Sequence, residues 1–152
     1  MQRPALPDLS WDHAQEMIRL VAEEAASRGL PVCICIRDRH DNLVAHVRMK
    51  GALLGSVALS CEKARTSALF PFPSAAITVF PSLKFSNGGI SDIEGGLPLL
   101  TAGGQSAGSI GVSGAMTGAE DAELAQLAVD KIDFILANYW WRRYREGLSR
   151  CS

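Results

Sequence analysis

Apolar residues near the start of the chain recur at the spacing of one face of a helix. They are Ala14, Met17, Ile18, Val21, Ala22 and Ala25, at positions i, i+3, i+4, i+7, i+8 and i+11. Ser10 suits the N-cap because its hydroxyl can accept a hydrogen bond from a free backbone N–H, and Gly29 suits the position after the C-cap. Pro31 cannot continue a helix. The pattern predicts an amphipathic helix from Ser10 with one buried face.

Two β-prone runs follow this first helix. Residues 32–37 and 43–48 are rich in Val and Ile, and the Asp and Asn residues of the intervening segment 38–42 favour a turn. The order strand, turn, strand predicts a β-hairpin.

A second helical pattern begins near Ser56, which is a candidate cap, and ends before Pro71 and Pro73. Its apolar positions predict the buried face: Leu54, Val57, Ala58, Cys61, Ala64 or Arg65, and Ala68. Residues 71–93 have no clean periodicity, so we expect a long loop with a short helical turn. Loops of this length in compact domains often carry function.

Ten of the fourteen glycines lie between Gly88 and Gly118. Within that stretch, residues 97–100 and 109–112 have the character of strands around a turn at Gly103 and Gly104, which predicts a second hairpin. Next, residues 117–120 have the S/T-x-x-E form of a capping box and open a helix. Its apolar positions are Leu124, Leu127, Ala128, Ile132, Ile135 and Tyr139. Helix, hairpin, helix, strands and helix predict an α+β fold with an antiparallel sheet covered by helices.

The composition is that of one folded domain spanning residues 1–152. Hydrophobic residues make up 47% and charged residues 20%, and the net charge is −1. This balance gives no reason to expect a nucleic acid partner. The longest apolar stretch, residues 30–36, is too short to cross a membrane, and the first ten residues lack the apolar region of a signal peptide. We therefore expect a cytoplasmic protein without membrane contact.

The four cysteines, Cys33, Cys35, Cys61 and Cys151, are interpreted as reduced thiols. Cys33 and Cys35 share one face of a predicted strand and cannot easily be bridged to each other. Cys61 is interpreted as a small core residue rather than a reactive thiolate. The sequence has no CxxC or HxxxH spacing, so no zinc site is expected.

Four segments in order resemble the GlcG/HbpS family, a domain also found at the C-terminal end of PduO-type proteins. The segments are Arg-Met-Lys-Gly-Ala at 48–52, Glu-Lys-Ala-Arg-Thr-Ser-Ala at 62–68, Gly-Gly-Leu-Pro at 95–98, and Gly-Ser-Ile-Gly-Val-Ser-Gly at 108–114 followed by Asp121. The resemblance implies a profilin-like fold with a five-stranded antiparallel sheet flanked by helices. It also implies dimers or larger assemblies and, in some members, binding of haem or another tetrapyrrole.

This sequence departs from the pattern of that family at three places. Glu94 stands where many relatives carry a glycine, and Lys50 replaces a commonly acidic residue. An aromatic and basic tail, residues 139–152, runs beyond the usual end of the domain. Its tryptophans, tyrosines and arginines are typical of protein interfaces, so we expect a homo-oligomer, at least a dimer, to which the tail contributes. The alternative is that these aromatic residues cover the protomer's own core.

The three histidines are candidates for a haem axial ligand, because haem iron usually takes a nitrogen or sulfur ligand. His13 is favoured, since it lies on the flank of the apolar stripe of the first helix. His40 falls in a predicted turn and is expected to be solvated. His46 faces a predicted strand surface, where an ordinary hydrogen-bonded role is the alternative to a ligand pocket.

Positive side chains and glycine turns form a second candidate site. The set expected to contact a small carboxylate or a tetrapyrrole propionate is Arg48, Met49, Lys63, Gly95, Gly96, Ser113 and Gly114. The alternative is that Lys63 and Arg65 are solvated and the glycines only permit tight turns. A nicotinamide site is excluded because the glycines do not open a βαβ unit. A serine hydrolase centred on Ser113 is disfavoured because no histidine follows His46.

These observations leave three functional hypotheses, of which the third is an assembly or accessory protein with no ligand. The leading hypothesis is a small-ligand-binding protein of GlcG/HbpS type, with haem or another tetrapyrrole as the best-motivated ligand. The alternative is an enzyme or accessory protein of a catabolic pathway that acts on a small carboxylated or carbonyl metabolite through Arg48, Lys63 and the glycine turns. The sequence does not decide between binding and catalysis.

Overall fold

The computed structural model describes residues 8–79 and 89–150, with the side chains of the last helix described as far as Ala137. Two hairpins lie side by side in one antiparallel sheet of strand order β2-β1-β4-β3, and three α-helices pack on it. The elements are α1 (Trp11–Ser27), β1 (Cys33–Asp38), β2 (Leu43–Arg48), α2 (Gly55–Leu69), a 3-10 helix (Ser74–Val79), β3 (Gly96–Leu100), β4 (Ser106–Ser113) and α3 (Gly118–Arg150). The predicted α+β class, the helix order and both hairpins are confirmed.

The expected fifth strand is corrected by the structure. The described residues form a sheet of four strands, and the segment after α2 enters a 3-10 helix at Ser74 instead of adding a strand. Pro71 and Pro73 precede this turn, and a proline cannot donate a backbone hydrogen bond to a neighbouring strand. Residues 80–88, in the middle of the predicted loop, lie outside the described residues.

The predicted ends of α1 and the predicted start of α3 are confirmed by side-chain and backbone caps. The candidate cap Ser56 is wrong, because α2 begins one residue earlier at Gly55, and its N-cap Leu54 makes no side-chain hydrogen bond. At α1, the Ser10 side chain accepts from the backbone N–H of His13, and the His13 ring accepts from the backbone N–H of Ser10. Gly29 follows the C-cap at φ +67°, in the left-handed region. At α3, Thr117 and Glu120 exchange the reciprocal hydrogen bonds of a capping box.

One face of the sheet packs against α1 and α3 through aliphatic side chains. Ile34 of β1 pairs with Val112 of β4, and Ile36 pairs with Ile110, so four branched side chains project from the same face. All four are fully buried. The helices cover them with Met17, Val21, Leu124, Ala128 and Ile132. Burying each such side chain contributes roughly 1.5–3 kcal/mol, so this face forms the main hydrophobic core.

The other face of the sheet packs against α2 through small and polar residues. Along β1 and β4 the pairs on this face are Cys33 with Ser113, and Cys35 with Gly111. A Cβ added at Gly111 would lie 2.1 Å from the backbone oxygen of Ser60 in α2. Only glycine permits this approach, which brings the helix backbone into direct contact with the sheet.

The predicted buried face of α2 is largely wrong. The buried residues of this helix are Ser56, Ser60, Lys63, Ala64, Thr66 and Ser67, of which only Ala64 was predicted. Leu54 is 76% exposed, and Val57, Cys61 and Ala68 are only half-buried. The helix turns its small polar residues inward because the strands beneath it carry glycine, serine and cysteine, which leave no room for leucine.

The last helix, α3, has 33 residues and extends to Arg150. Its backbone is therefore helical over residues 139–150 of the predicted tail, whose side chains lie outside the described residues. Among the described residues, no helix combines the length and apolar composition needed to span a membrane.

Candidate functional site

A buried ion pair joins α2 to α3 beside the end of β4. The Lys63 ammonium donates to Asp121 Oδ2 at 2.9 Å and to the backbone oxygen of Val112 at 2.9 Å, and its side chain is 0% exposed. The other carboxylate oxygen of Asp121 accepts from the backbone N–H of Ala115 at 2.9 Å. Each charged group is thus paired and hydrogen-bonded, which is the condition under which charges are tolerated in an interior.

Two of the predicted site glycines close directly over this ion pair. A Cβ at Gly95 would lie 2.9 Å from Lys63 Nζ, and the residue has φ +121°, a conformation that side-chain-bearing residues rarely adopt. A Cβ at Gly96 would lie 2.3 Å from the backbone oxygen of Lys63. Lys63, Gly95 and Gly96 therefore do come together, but they enclose the ammonium instead of leaving it open to a ligand.

The next two predicted site residues lie at the end of β4. Ser113 is buried opposite Cys33, and Gly114 sits against the backbone of Pro31, with its added Cβ 3.4 Å from the Ser56 hydroxyl oxygen. They follow directly on Val112, which accepts a hydrogen bond from Lys63. These residues and the ion pair form one continuous packed region, which we call the α2–β4 seam.

Arg48 and Met49 lie at the end of β2, at the edge of the sheet. Arg48 is exposed, and its Nε approaches the backbone oxygen of Ala52 at 3.5 Å. Met49 is half-buried and packs against the main hydrophobic core. Of the cations in the predicted anion site, Arg48 is therefore accessible to solvent, whereas Lys63 is enclosed.

His13 lies away from the α2–β4 seam, on the helix that covers the opposite face. Leu9, one turn before His13, packs its side chain against Gly108 near the start of β4. Lys63 donates to the backbone oxygen of Val112, four residues further along the same strand. At about 3.4 Å per residue, those two points of β4 are about 14 Å apart. The predicted residues therefore occupy two separate places in the protein.

The His13 ring is buried and held by the cap of α1. Its Nδ1 accepts from the backbone N–H of Ser10 at 3.0 Å and lies 3.1 Å from the Ser10 hydroxyl oxygen. Burial lowers the pKa of His13 below its ordinary value of 6.5, and the carboxylate of Asp12 opposes this in part. The ring is therefore neutral at pH 7 and retains a nitrogen lone pair.

The other two histidines have ordinary surroundings. His40 is exposed in the turn between β1 and β2, as predicted. His46 is half-buried, and its Nε2 lies 3.1 Å from the Ser60 hydroxyl, which itself donates to the backbone oxygen of Val57. This geometry makes His46 a hydrogen-bonded contact between β2 and α2.

Sequence reasoning missed the role of Asp121 and a small charged cluster at the first hairpin. Asp121 is 58 residues from Lys63 in sequence, so no local pattern links them, although both fall within the segments of the family resemblance. In the cluster, Arg37 donates to the backbone oxygen and to the carboxylate of Asp41, and Arg65 of α2 approaches the same carboxylate at 3.5 Å.

In the part of the chain that the structure describes, no three His, Cys, Asp or Glu side chains are grouped to hold a metal ion.

Comparison with known proteins gives a family for this chain. The family model described as haem degrading protein HbpS-like matches residues 9–130. No curated protein sequence matches the chain.

Several solved structures share the fold over most of their length. The ORFY protein of Klebsiella pneumoniae is 25% identical, with coverage of 90% of this chain and 97% of the other, at a TM-score of 0.76. A double mutant of Streptomyces reticuli HbpS is 26% identical, covering 86% and 89%, at a TM-score of 0.74. A structure described as a PduOC:heme complex is 25% identical, covering 82% and 94%, at a TM-score of 0.73. The predicted resemblance is thereby confirmed, and the chain belongs to the HbpS-like family.

Proposed function

We propose that this protein binds a small ligand of the tetrapyrrole class, with haem as the best-motivated ligand and His13 as its axial ligand. The observation that carries the proposal is the His13 ring, a buried neutral imidazole held by Ser10. Membership of the HbpS-like family and the shared fold with a PduOC:heme complex support the choice of ligand class. A neutral imidazole nitrogen is among the usual axial ligands of haem iron.

The surroundings of His13 suit the donor chemistry of haem iron. If His13 held haem iron through Nε2, the ring proton would lie on Nδ1, and the Ser10 hydroxyl oxygen, 3.1 Å away, would accept a hydrogen bond from it. Such an outer partner orients a ligating histidine and raises its basicity. In the capped arrangement Nδ1 instead accepts from the Ser10 backbone N–H, so binding exchanges one hydrogen bond of the cap for another.

A titration of the purified protein with haemin tests this proposal. We expect a shift of the Soret band in the full chain, loss of that shift in His13→Ala, and an unchanged titration in the matched variant His40→Ala. The His40 control is apt because this exposed side chain lies in a turn. No Soret shift with micromolar full-length protein would refute haem binding. A shift that persists in His13→Ala would instead refute His13 as the ligand.

The structure removes Lys63, the main candidate residue of the catabolic enzyme hypothesis, from contact with solvent. Lys63 is fully buried and already bonded to Asp121 and Val112, so it has no donor directed at a small carboxylate in solution. Arg48 is exposed and Arg65 is partly exposed, but the enzyme hypothesis depended on Lys63. We therefore favour ligand binding over turnover.

We also propose that the protein is a homo-oligomer, at least a dimer, with residues 139–145 contributing to the contact. Helix α3 has 33 residues and is about 50 Å long, whereas the longest strand has 8 residues and spans about 27 Å. A helix of that length extends past the sheet, and its last turns carry the aromatic and basic composition typical of interfaces.

Sedimentation of the full chain beside a version truncated after Asn138 tests the assembly. We expect the full chain to sediment as a dimer or larger species and the truncated chain as a smaller one. A monomeric full chain would refute the oligomer, and an unchanged assembly after truncation would exclude the tail from the contact. We also propose that the protein is cytoplasmic. The three described cysteines are free thiols, which is the state expected in a reducing compartment.

A further inference from the structure

Three cysteine thiols meet where α2 packs on the sheet. Cys33 and Cys35 are two residues apart on β1 and share the face covered by α2, and Cys61 lies on α2. The Cys61 thiol neighbours the Cys35 thiol closely enough to raise the pKa of Cys35. All three are free thiols.

The close approach of α2 to the sheet brings Cys61 near Cys35. Cys35 has Gly111 on one side in the sheet and His46 on the other. Ser60 touches both neighbours, since its backbone oxygen lies over Gly111 and its hydroxyl meets His46 Nε2 at 3.1 Å. The helix backbone therefore crosses directly above Cys35, and the next residue along α2 is Cys61. At such a short distance, two cysteine side chains can span the gap between helix and sheet.

The two thiols of the Cys35–Cys61 pair differ in access to solvent. Cys35 is fully buried, whereas Cys61 is half-buried and reachable from outside. Burial raises the pKa of the Cys35 thiol, the neighbouring Cys61 thiol adds to this, and Arg37 opposes it. A small oxidant in solution therefore reacts with Cys61 first. Cys35 lies buried below Cys61 and is protonated at neutral pH.

We propose that Cys61 is a site of reversible oxidation by a peroxide and that Cys35 resolves the oxidised form as a disulfide between α2 and β1. The Cys61 sulfur attacks the O–O bond of hydrogen peroxide, which yields a sulfenic acid and one water. The Cys35 sulfur then attacks the Cys61 sulfur, and the sulfenic hydroxyl leaves with the Cys35 proton as a second water. Two thiols and one peroxide give one disulfide and two waters, so atoms and electrons balance.

Cys35 is assigned as the resolving residue on geometry. Cys35 lies between Gly111 and His46, both of which Ser60 of α2 contacts, whereas Cys33 lies two residues, about 7 Å, further along β1. A bridge between Cys33 and Cys35 is excluded, because both lie along one extended strand and their side chains run parallel. The proposal thus distinguishes one disulfide from the other two that these cysteines could form.

Peptide mapping by mass spectrometry after mild hydrogen peroxide treatment tests the proposal on the full chain. The expected product is a linked pair of peptides containing Cys35 and Cys61, lighter by two hydrogen atoms and restored to free thiols by dithiothreitol. Cys61→Ser should lose the product. Cys33→Ser, the matched control on the same strand, should retain it. Circular dichroism confirms that each variant is folded.

A second measurement tests whether Cys61 is oxidised before Cys35 forms the disulfide. In Cys35→Ala the disulfide cannot form, so a sulfenic acid should accumulate at Cys61 and be trapped by dimedone. Absence of the linked peptides in the wild-type chain would overturn the proposal, even if Cys35→Ala failed to fold. Linkage of Cys61 to Cys33 or to Cys151, or a dimedone adduct on Cys35 instead of Cys61, would likewise overturn it.

Discussion

The two faces of the sheet are packed by different rules. The face under α1 and α3 is covered by branched aliphatic side chains such as Ile34 and Ile110. The face under α2 is covered by small side chains, a buried ion pair and cysteine thiols, and glycine allows the helix backbone to touch the sheet. The first face is stabilised by the burial of large side chains, and the second by close backbone packing and by the paired charges of Lys63 and Asp121. Substitutions that one face tolerates should therefore damage the other.

The largest expected effect comes from breaking the ion pair of the α2–β4 seam. Lys63→Met keeps the length of the side chain but leaves the Asp121 carboxylate buried without its cation, which should cost about 3–5 kcal/mol of unfolding free energy. Urea denaturation measures the loss.

A double variant separates the charge from the packing. Lys63→Met with Asp121→Asn has no buried charge, and the Asn side-chain oxygen can still accept from Ala115. It should recover much of the lost stability. If Lys63→Met alone were as stable as the wild type, the seam would not depend on pairing.

Neighbouring residues of β4 provide the direct comparison of the two faces. Ile110→Ala should cost about 2–5 kcal/mol by opening a cavity under α1 and α3. Gly111→Ala adds one methyl group on the other face, 2.1 Å from the Ser60 backbone oxygen, and should cost about 1–3 kcal/mol or more, because the helix must move.

The control for Gly111 is Gly55→Ala at the start of α2. A Cβ there meets nothing within 4 Å, so this change should be neutral or stabilising by up to about 1 kcal/mol. Thermal unfolding of the three variants measures the contrast. Equal, small effects at Gly111 and Gly55 would contradict the close approach of α2.

The smallest expected effect is the pH dependence that His46 contributes on the α2 face. Burial lowers the pKa of His46 below its ordinary value of 6.5, and a hydrogen bond to the Val57 backbone opposes this. The unfolded chain therefore binds a proton more readily than the folded protein. The stability due to this group is complete above pH 6.5 and is lost as the pH falls below that value.

Comparison of His46→Gln with wild type tests this dependence. The variant should lose less stability than the wild type between pH 7 and pH 5, as measured by urea denaturation, because glutamine does not titrate. His40→Gln, in the exposed turn, should follow the wild-type curve. Parallel curves for wild type and His46→Gln would show that His46 does not carry the dependence.

The elements that the sequence predicts well are those fixed by neighbouring residues. Ser10 and Gly29 bound α1, and Thr117 with Glu120 opens α3, because these caps depend on residues within one turn. The aliphatic face also follows simple periodicity. The first hairpin is predicted by two β-prone runs and the Asp and Asn residues of the turn between them.

The α2 face could not be predicted by the same means. Apolar periodicity assumes that leucine points inward, whereas Leu54 is exposed and Lys63 is buried. What decides this is the partner surface: Gly111 and Ser113 on β4, and Asp121 on α3, all about 50 or more residues away in sequence. The alternation of small residues in β4 is the available signal, but a strand prediction for residues 109–112 does not say which helix packs on its small face.

The reach of Asp121 has a consequence for how the protein opens. This residue begins α3, on the aliphatic side of the sheet, yet its carboxylate holds the ammonium of α2 on the other side and the backbone of Ala115 between them. If either α2 or the start of α3 unfolded alone, a buried charge of the Lys63–Asp121 pair would lose its partner. We therefore expect α2 and the first turns of α3 to unfold together as one cooperative unit. Their amide hydrogens should exchange with solvent at a common rate, close to that of global unfolding.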